Sequence, residues 1–309
     1  MRHLSSLGEA VPRATSDEIR LFVTLRNEGP RLPEFFEHYR QMGVDRFFVI
    51  DNGSDDNSVM LAQAQPNTHI WVTDASYKQS RFGMDWMNAL LRRYGHGHWC
   101  VSVDADERLV LPQEDQDLQR FIQRLAQQGR EALGAVMVDL FPKGPLDGAT
   151  RAVWLDPAPL HWAYQPKLQN SWVRGGIRAR YFFADRFERA PTLNKIPLIK
   201  WHWRYAYVNS THSVLPRQIN HVLGPHDPMA PRAALLHDKF APSILEKSAE
   251  ELSRRQHFQN PDLYQHYHRH LSEGPNLWFE GAVVYEGPAK LCELGFTQPL
   301  TEGTNPLDG

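Results

Sequence analysis

Sulfur is scarce in this chain: 309 residues carry only Cys100 and Cys292. Two thiols build no disulfide framework, and neither has a second sulfur at metal-ligand spacing. Long apolar runs are missing too. No segment reaches the roughly 18 apolar residues of a membrane span. Met1 to Asp17 is polar and broken by Pro12, so it lacks the apolar centre of a secretion leader. Excess charge is also absent, with a formal net charge of -2. That balance argues neither for a nucleic-acid binder nor for a polyanionic tail, and no nucleic-acid partner is expected. There is no internal repeat and no low-complexity tract. The expectation is a cytoplasmic protein without a transmembrane segment, long enough for one large α/β domain or two small ones.

What the chain does contain is alternation. Ile19 to Leu25 is an apolar run of strand length, followed by a helix with Leu32, Phe35, Phe36, Tyr39 and Met42 on one stripe and Gly43 at its end. Arg46 to Ile50 predicts a second strand, with a short helix through Leu61, and His69 to Thr73 a third. A helix carrying Met84, Met87, Leu91 and Tyr94 leads to the strand Trp99 to Asp104. A helix with Leu118, Phe121, Ile122 and Leu125 and the strand Ala135 to Leu140 follow. Strands alternating with helices imply a mainly parallel sheet with right-handed crossovers, flanked by helices. Residues 142 to 205 are rich in Pro, Gly, Arg and Trp and lack helical period, as binding loops do. Helix returns at 242 to 258, with Pro242 in the first turn, and short helices are expected around Leu263 to Leu271 and Pro288 to Leu294. The tail after Thr297 reads as loosely held. The boundaries expected are an arm over 1–17, a first half over 18–141, a second half over 142–240 and a helical extension over 241–309.

Polar runs end three of these strands: Arg26-Asn27-Glu28, Asp51-Asn52 and Asp104-Ala105-Asp106. In parallel sheets ligands bind at the carboxyl ends of strands. Three such runs on one edge are harder to explain as solvated turns than any one alone. The last is the most telling. Asp104, Asp106 and Glu107 place three carboxylates within four residues, directly after a buried apolar strand. Burying unpaired carboxylates is costly, and Mg²⁺ or Mn²⁺ takes oxygen ligands of this kind. On an extended strand, side chains at i and i+2 share a face, so Asp104 and Asp106 are expected to converge on one ion.

These motifs, with Gly43-Val44-Asp45 and Asp51-Asn52-Gly53-Ser54-Asp55-Asp56, resemble the family-2-like branch of the GT-A glycosyltransferases. Pieces of the second half are similar to one subgroup of that branch: Val138-Asp139-Leu140-Phe141-Pro142, Gly175-Gly176-Ile177-Arg178-Ala179-Arg180, Leu193-Asn194-Lys195-Ile196-Pro197-Leu198, Ser210-Thr211-His212 and Leu235-Leu236-His237-Asp238-Lys239-Phe240. The resemblance covers most of residues 19 to 296. It implies a GT-A fold and a nucleoside diphosphate sugar as donor, UDP- or GDP-linked. The acceptor would be a glycan, a lipid-linked compound, met through peripheral membrane contact, or a small molecule. Inversion is the expected stereochemistry. A non-catalytic glycan- or nucleotide-binding relative of the fold and a nucleotidyltransferase are the competing readings. The second would carry a glycine-rich phosphate loop after the first strand, and Arg26-Asn27-Glu28-Gly29-Pro30 is not one.

The resemblance implies that Arg26, Asn27 and Glu28 line the nucleotide pocket and that Asp51, beside Asn52, meets the base or ribose. It implies that His237 completes a Mn²⁺ or Mg²⁺ site with Asp106 as direct ligand, while Asp104 reaches ribose or metal-bound water. His212 is a weaker candidate, and a histidine bonded to backbone is the alternative for both. Arg81, before a helix, is a candidate phosphate partner or a surface arginine. Lys195, Arg178 and Arg180 are cations in Gly- or Pro-marked loops, suited to phosphate or acidic sugar. Trp201-His202-Trp203 suits either a sugar face or an aromatic core. Asp139, at the end of an apolar strand, is the candidate catalytic base, on the expectation that burial raises its pKa. Asp156, His161 and Asp185 are the fallbacks.

Overall fold

The computed structural model describes residues 3–13, 15, 17–113, 116–147, 151–224, 229–241, 244–245, 267 and 269–301. Apolar, β-branched and aromatic residues buried on both faces dictate the central sheet. Its strands are β1 (Ser5–Leu7), β2 (Ile19–Leu25), β3 (Arg46–Asp51), β4 (Thr68–Val72), β5 (Trp99–Ser102), β6 (Glu107–Val110) and β7 (Ala132–Asp139). Three short strands follow: β8 (Trp154–Leu155), β9 (His161–Gln165) and β10 (Asn170–Arg174). Next come β11 (Asn194–Lys200), β12 (Ala206–Tyr207), β13 (Val214–Leu215), β14 (Arg232–His237) and β15 (Val283–Val284). The nine-stranded sheet has the order β1-β4-β3-β2-β5-β11-β7-β14-β6. β2, β3, β4, β5, β7 and β14 run parallel, and β1, β11 and β6 oppose them.

Alternate residues of β2 and β3 serve two cores. Leu21, Val23, Phe47 and Val49 face the helices α1 (Leu32–Gln41), α2 (Ser58–Gln63) and α4 (Leu118–Gln127). Phe22, Phe48 and Ile50 face α3 (Met84–Tyr94), Tyr207 and Val214. A sheet covered on both sides has strands that read as continuous apolar runs. Helix ends follow local chemistry: Pro33 lies in the first turn of α1, and Gly43 takes a left-handed φ of 96° just past its end. The carboxylate of Asp117 accepts from Arg120 N at 3.0 Å to cap α4 (Leu118–Gln127).

The second half does more than cover the first. It supplies β11, with a register shift between Lys195 and Leu198 around Pro197, and β14, beside β7. α5 (Gly176–Phe182) packs with Phe141, Phe240, Tyr267 and Leu271 into a separate core. The arm expected over 1–17 adds an edge strand, β1, against β4. The tail is held further than expected, since Leu300 is buried in the main core. α6 (Pro288–Glu293) lies where a helix is predicted, whereas the one predicted over 242–258 falls almost wholly outside the described residues.

Candidate active site

β2, β3, β5, β7 and β14 deliver their carboxyl ends to one edge of the sheet, and antiparallel β6 and β11 begin there. In register, His237 of β14 lies opposite Asp139 of β7 on one side and Glu107 of β6 on the other. The polar groups at this edge form two linked clusters.

The first centres on His237. Its Nε2 is 3.2 Å from Asp106 Oδ2 and its Nδ1 is 2.6 Å from Asp139 Oδ1. The second oxygen of Asp139 accepts from Arg178 Nε at 2.7 Å. Arg31, from the turn before α1, approaches both Glu28 (3.2 Å) and Asp106 (3.6 Å). Burial alone would raise the Asp106 carboxyl, but the charge and hydrogen bond of His237, with Arg31, hold it well below the usual range. Burial would lower His237, and the two carboxylates raise it instead. The expected sign for Asp139 is wrong. Burial does push it up, but Arg178 and His237 outweigh that and lower it to about 2. With both oxygens engaged, Asp139 is a poor proton acceptor.

The second cluster centres on Lys195, whose side chain is only 3% exposed. It lies 3.1 Å from Asp104 Oδ2 and 2.9 Å from Glu107 Oε1. Glu107 also accepts from Asp104 N at 3.1 Å. Burial opposes the Lys195 charge, and the two carboxylates more than offset it, so the ammonium is held firmly. The same-face argument for Asp104 and Asp106 does not apply. β5 stops at Ser102, and the chain then turns, with Glu107 N bonded to Asp104 O. Asp104 therefore meets Lys195, while Asp106 meets His237. Asp104 remains 43% exposed, open to a ligand.

The loops beside these clusters knit to one another. Arg26 donates to Asn52 O at 2.8 Å and to Gly53 O. Asn27, at a left-handed φ of 52°, receives Asp55 N on its side chain, and its own N–H donates to Ser54 Oγ. Glu28 N donates to Ser58 Oγ. Asp51 accepts from the Ser54 backbone and hydroxyl, and Asn52 donates to Thr73 O and Ala75 O. Gly29 donates to Asp56 Oδ2 at 3.0 Å, and a Cβ there would meet Asn57 Oδ1 at 2.0 Å. Much of Asp-Asn-Gly-Ser-Asp-Asp thus shapes the loop.

Other candidates fall elsewhere. Arg81 is half-exposed and paired with Asp85. Arg180 and the buried Asp156 pair at 2.6 Å, which removes Asp156 as a free base. Asp185 pairs with Arg186, and exposed His161 meets Phe187 edge-on. His212 bonds Asn194 O at 2.5 Å, and burial lowers it to about 3, so it is a neutral structural imidazole. Trp201 is in the core at the far end of β11, away from the acids, which rules out the sugar-stacking role for it at this edge. Arg31 and the Lys195–Glu107 pair are the parts that sequence reasoning passed over. Arg31 follows Arg26-Asn27-Glu28 by one turn onset, and Glu107 directly follows Asp106, so position offered a clue to each.

No protein-family model matches the chain. A stretch of 103 residues, 31% of the chain, is 30% identical to a glycosyltransferase family 92 protein of Ricinus communis. The match spans 17% of that relative's length. Among solved structures, the TarS 1-349 fragment of S. aureus superposes with a TM-score of 0.29 at 10% identity, over 42% of each chain. A superposition that loose carries no argument. The sequence similarity is distant and partial, and it makes the chain glycosyltransferase-like at that coarse level.

Proposed function

We propose that the protein is a metal-dependent glycosyltransferase of GT-A type. It would move a sugar from a UDP- or GDP-linked donor to a glycan, lipid-linked or small-molecule acceptor, with inversion. The observation that carries this reading is the Asp106–His237 pair at the carboxyl edge of a mainly parallel sheet, 3.2 Å apart on separate elements.

The donor set suits a hard or borderline divalent cation. A carboxylate oxygen and an imidazole nitrogen point at each other, and the far nitrogen of the ring is fixed by a carboxylate, as metal-ligating histidines usually are. Among the described residues no three His, Cys, Asp or Glu side chains gather as a ready-made site. Asp106 and His237 would therefore hold Mn²⁺ or Mg²⁺ with water and donor phosphate completing the shell, as is usual for Mg²⁺. Bound there, the ion would neutralise the departing diphosphate.

The chain's own residues do the rest. Arg178 holds Asp139, and Asp139 orients the His237 ring. Lys195 fixes one oxygen of Asp104, whose exposed remainder can accept from sugar or ribose hydroxyls. Arg26, Asn27, Glu28, Asp51 and Asn52 build the nucleotide-facing loops. Asp139 is assigned to positioning rather than to the base, and no residue is assigned to accepting the acceptor proton.

A thermal-shift panel of nucleotides with and without Mn²⁺ tests the reading. Stabilisation by UDP or GDP only with metal is expected. A response confined to nucleoside triphosphates, or none to any nucleotide, would overturn it.

A further inference from the structure

Beside β11 lies a hairpin surface that breaks the usual pattern. In a two-stranded hairpin with one face packed on a core, the other face should be polar. Tyr207 and Val214 form the inner pair of the β12–β13 hairpin and are buried. Ala206, Val208 and Leu215 alternate with that pair and are apolar, with Val208 and Leu215 36% and 40% exposed, while Ser213, opposite Val208, is buried against Asn170. Just before the hairpin, Trp203 is 46% exposed, with the Arg204 guanidinium 4.9 Å from its ring centre.

Charge distinguishes this surface from an ordinary exposed patch. The chain as a whole is slightly acidic at net -2. Yet from Arg189 through Gly224 it holds no Asp or Glu, while Lys200, Arg204 and Arg217 stand exposed around the hairpin. Among the described residues Glu131 is an exposed acid at this rim: it acts on half-buried Tyr205, and its carbonyl accepts from Lys200 N at 2.8 Å. Indole at the water boundary, aliphatic side chains beside it and a basic rim are the chemistry that seats a protein on an anionic bilayer.

We propose that the Trp203–Arg204 turn and the outer face of the β12–β13 hairpin dock on an anionic lipid bilayer. The indole and the aliphatic side chains enter the interface, and Lys200, Arg204 and Arg217 meet lipid phosphate. Val208 and Leu215 favour a bilayer over a soluble glycan, which would want hydrogen-bonding partners around the tryptophan. The hairpin is tied along β11: Tyr207 OH donates to Ile196 O at 2.8 Å, and Ile196 N to Thr211 O at 2.8 Å. A docked bilayer would thus lie against the same strand that carries Lys195 into the candidate active site. The proposal is independent of the transferase reading.

Co-sedimentation of the full chain with vesicles tests it, with no nucleotide or metal present. One set is phosphatidylcholine alone and the other includes phosphatidylglycerol. Binding to the anionic set that weakens with added salt is expected. Trp203→Ser/Leu215→Ser should weaken it by about tenfold or more. Arg204→Gln/Arg217→Gln should weaken it by about tenfold on anionic vesicles. Both variants should melt like the parent, because the altered side chains are exposed. No binding to anionic vesicles, or equal binding by both variants, would overturn the proposal. So would a concentration-dependent dimer that Trp203→Ser/Leu215→Ser abolishes, because a second copy would then cover the face. The nucleotide panel without vesicles reads the transferase separately, so the two failures are distinguishable.

Discussion

Replacing Lys195 with Met should destabilise the protein far more than the loss of one surface charge. The Lys195 side chain is 3% exposed, and its ammonium lies 2.9 Å from the carboxylate of Glu107, whose side chain is 1% exposed. Lys195→Met keeps similar bulk but removes the counter-charge from Glu107, whose pKa burial already raises. Breaking a buried pair from one side typically costs about 3–5 kcal/mol. The second contact, to half-exposed Asp104, is screened by solvent and adds at most about 1 kcal/mol. Removing the other charge as well should reverse most of the loss, because a neutral pair carries no stranded ion. Urea unfolding of the wild type, Lys195→Met and Lys195→Met/Glu107→Gln measures this as shifts in midpoint at a shared slope. The double variant should recover more than half of the deficit. A single-variant loss below about 1 kcal/mol would rule out a buried, interdependent pair, since it is the size expected of an exposed one. A double variant no more stable than the single one would also rule it out.

Two further outcomes follow from the geometry. Asp139→Asn should weaken Mn²⁺ binding by about 10–100-fold in calorimetry, the range seen for the partners of ligating histidines. If Asp139 were instead the base, metal binding would stay normal and only transfer would fall. Glu18, nearly buried between Arg20 and Arg46 (2.9 and 2.6 Å), has a depressed carboxyl: burial raises it, and the two arginines more than offset that. A depressed folded-state pKa gives stability that is present above the unfolded value and lost as pH falls through the folded one. Glu18→Gln should therefore flatten the acid limb of a melting-temperature profile below the ordinary carboxylate range. An unchanged acid limb would remove Glu18 from the account.

The strands and helices of the first half were legible because each carries its own period. Ile19–Leu25 appears where the apolar run predicts it, and α1, α3 and α4 lie on their apolar stripes. β11 and β14 were not legible. β11 contains Pro197 and runs antiparallel between parallel neighbours, and nothing local encodes that insertion. β6 is four residues long and sits directly after the acids, so its start looked like the end of a strand. At the site, the acidic run stood out by residue type, and His237 through the family resemblance. Their partners did not: Asp104 and Lys195 are 91 positions apart, and Asp139 and His237 are 98. Whether Asp139 accepts a proton or steadies a ring depends on what occupies its two oxygens, and only the assembled sheet decides that.

Metal-dependent transfer is read directly from donor turnover: release of nucleoside diphosphate from a panel of UDP- and GDP-linked sugars, with Mn²⁺ and with chelator. Asp106→Asn serves as the matched variant, close in shape but lacking the charge that faces His237. Release is expected from at least one donor with Mn²⁺ and from none with chelator, with near-complete loss in Asp106→Asn while its fold survives by circular dichroism. Release that persists in chelator, or unchanged turnover by Asp106→Asn, would contradict metal-dependent transfer.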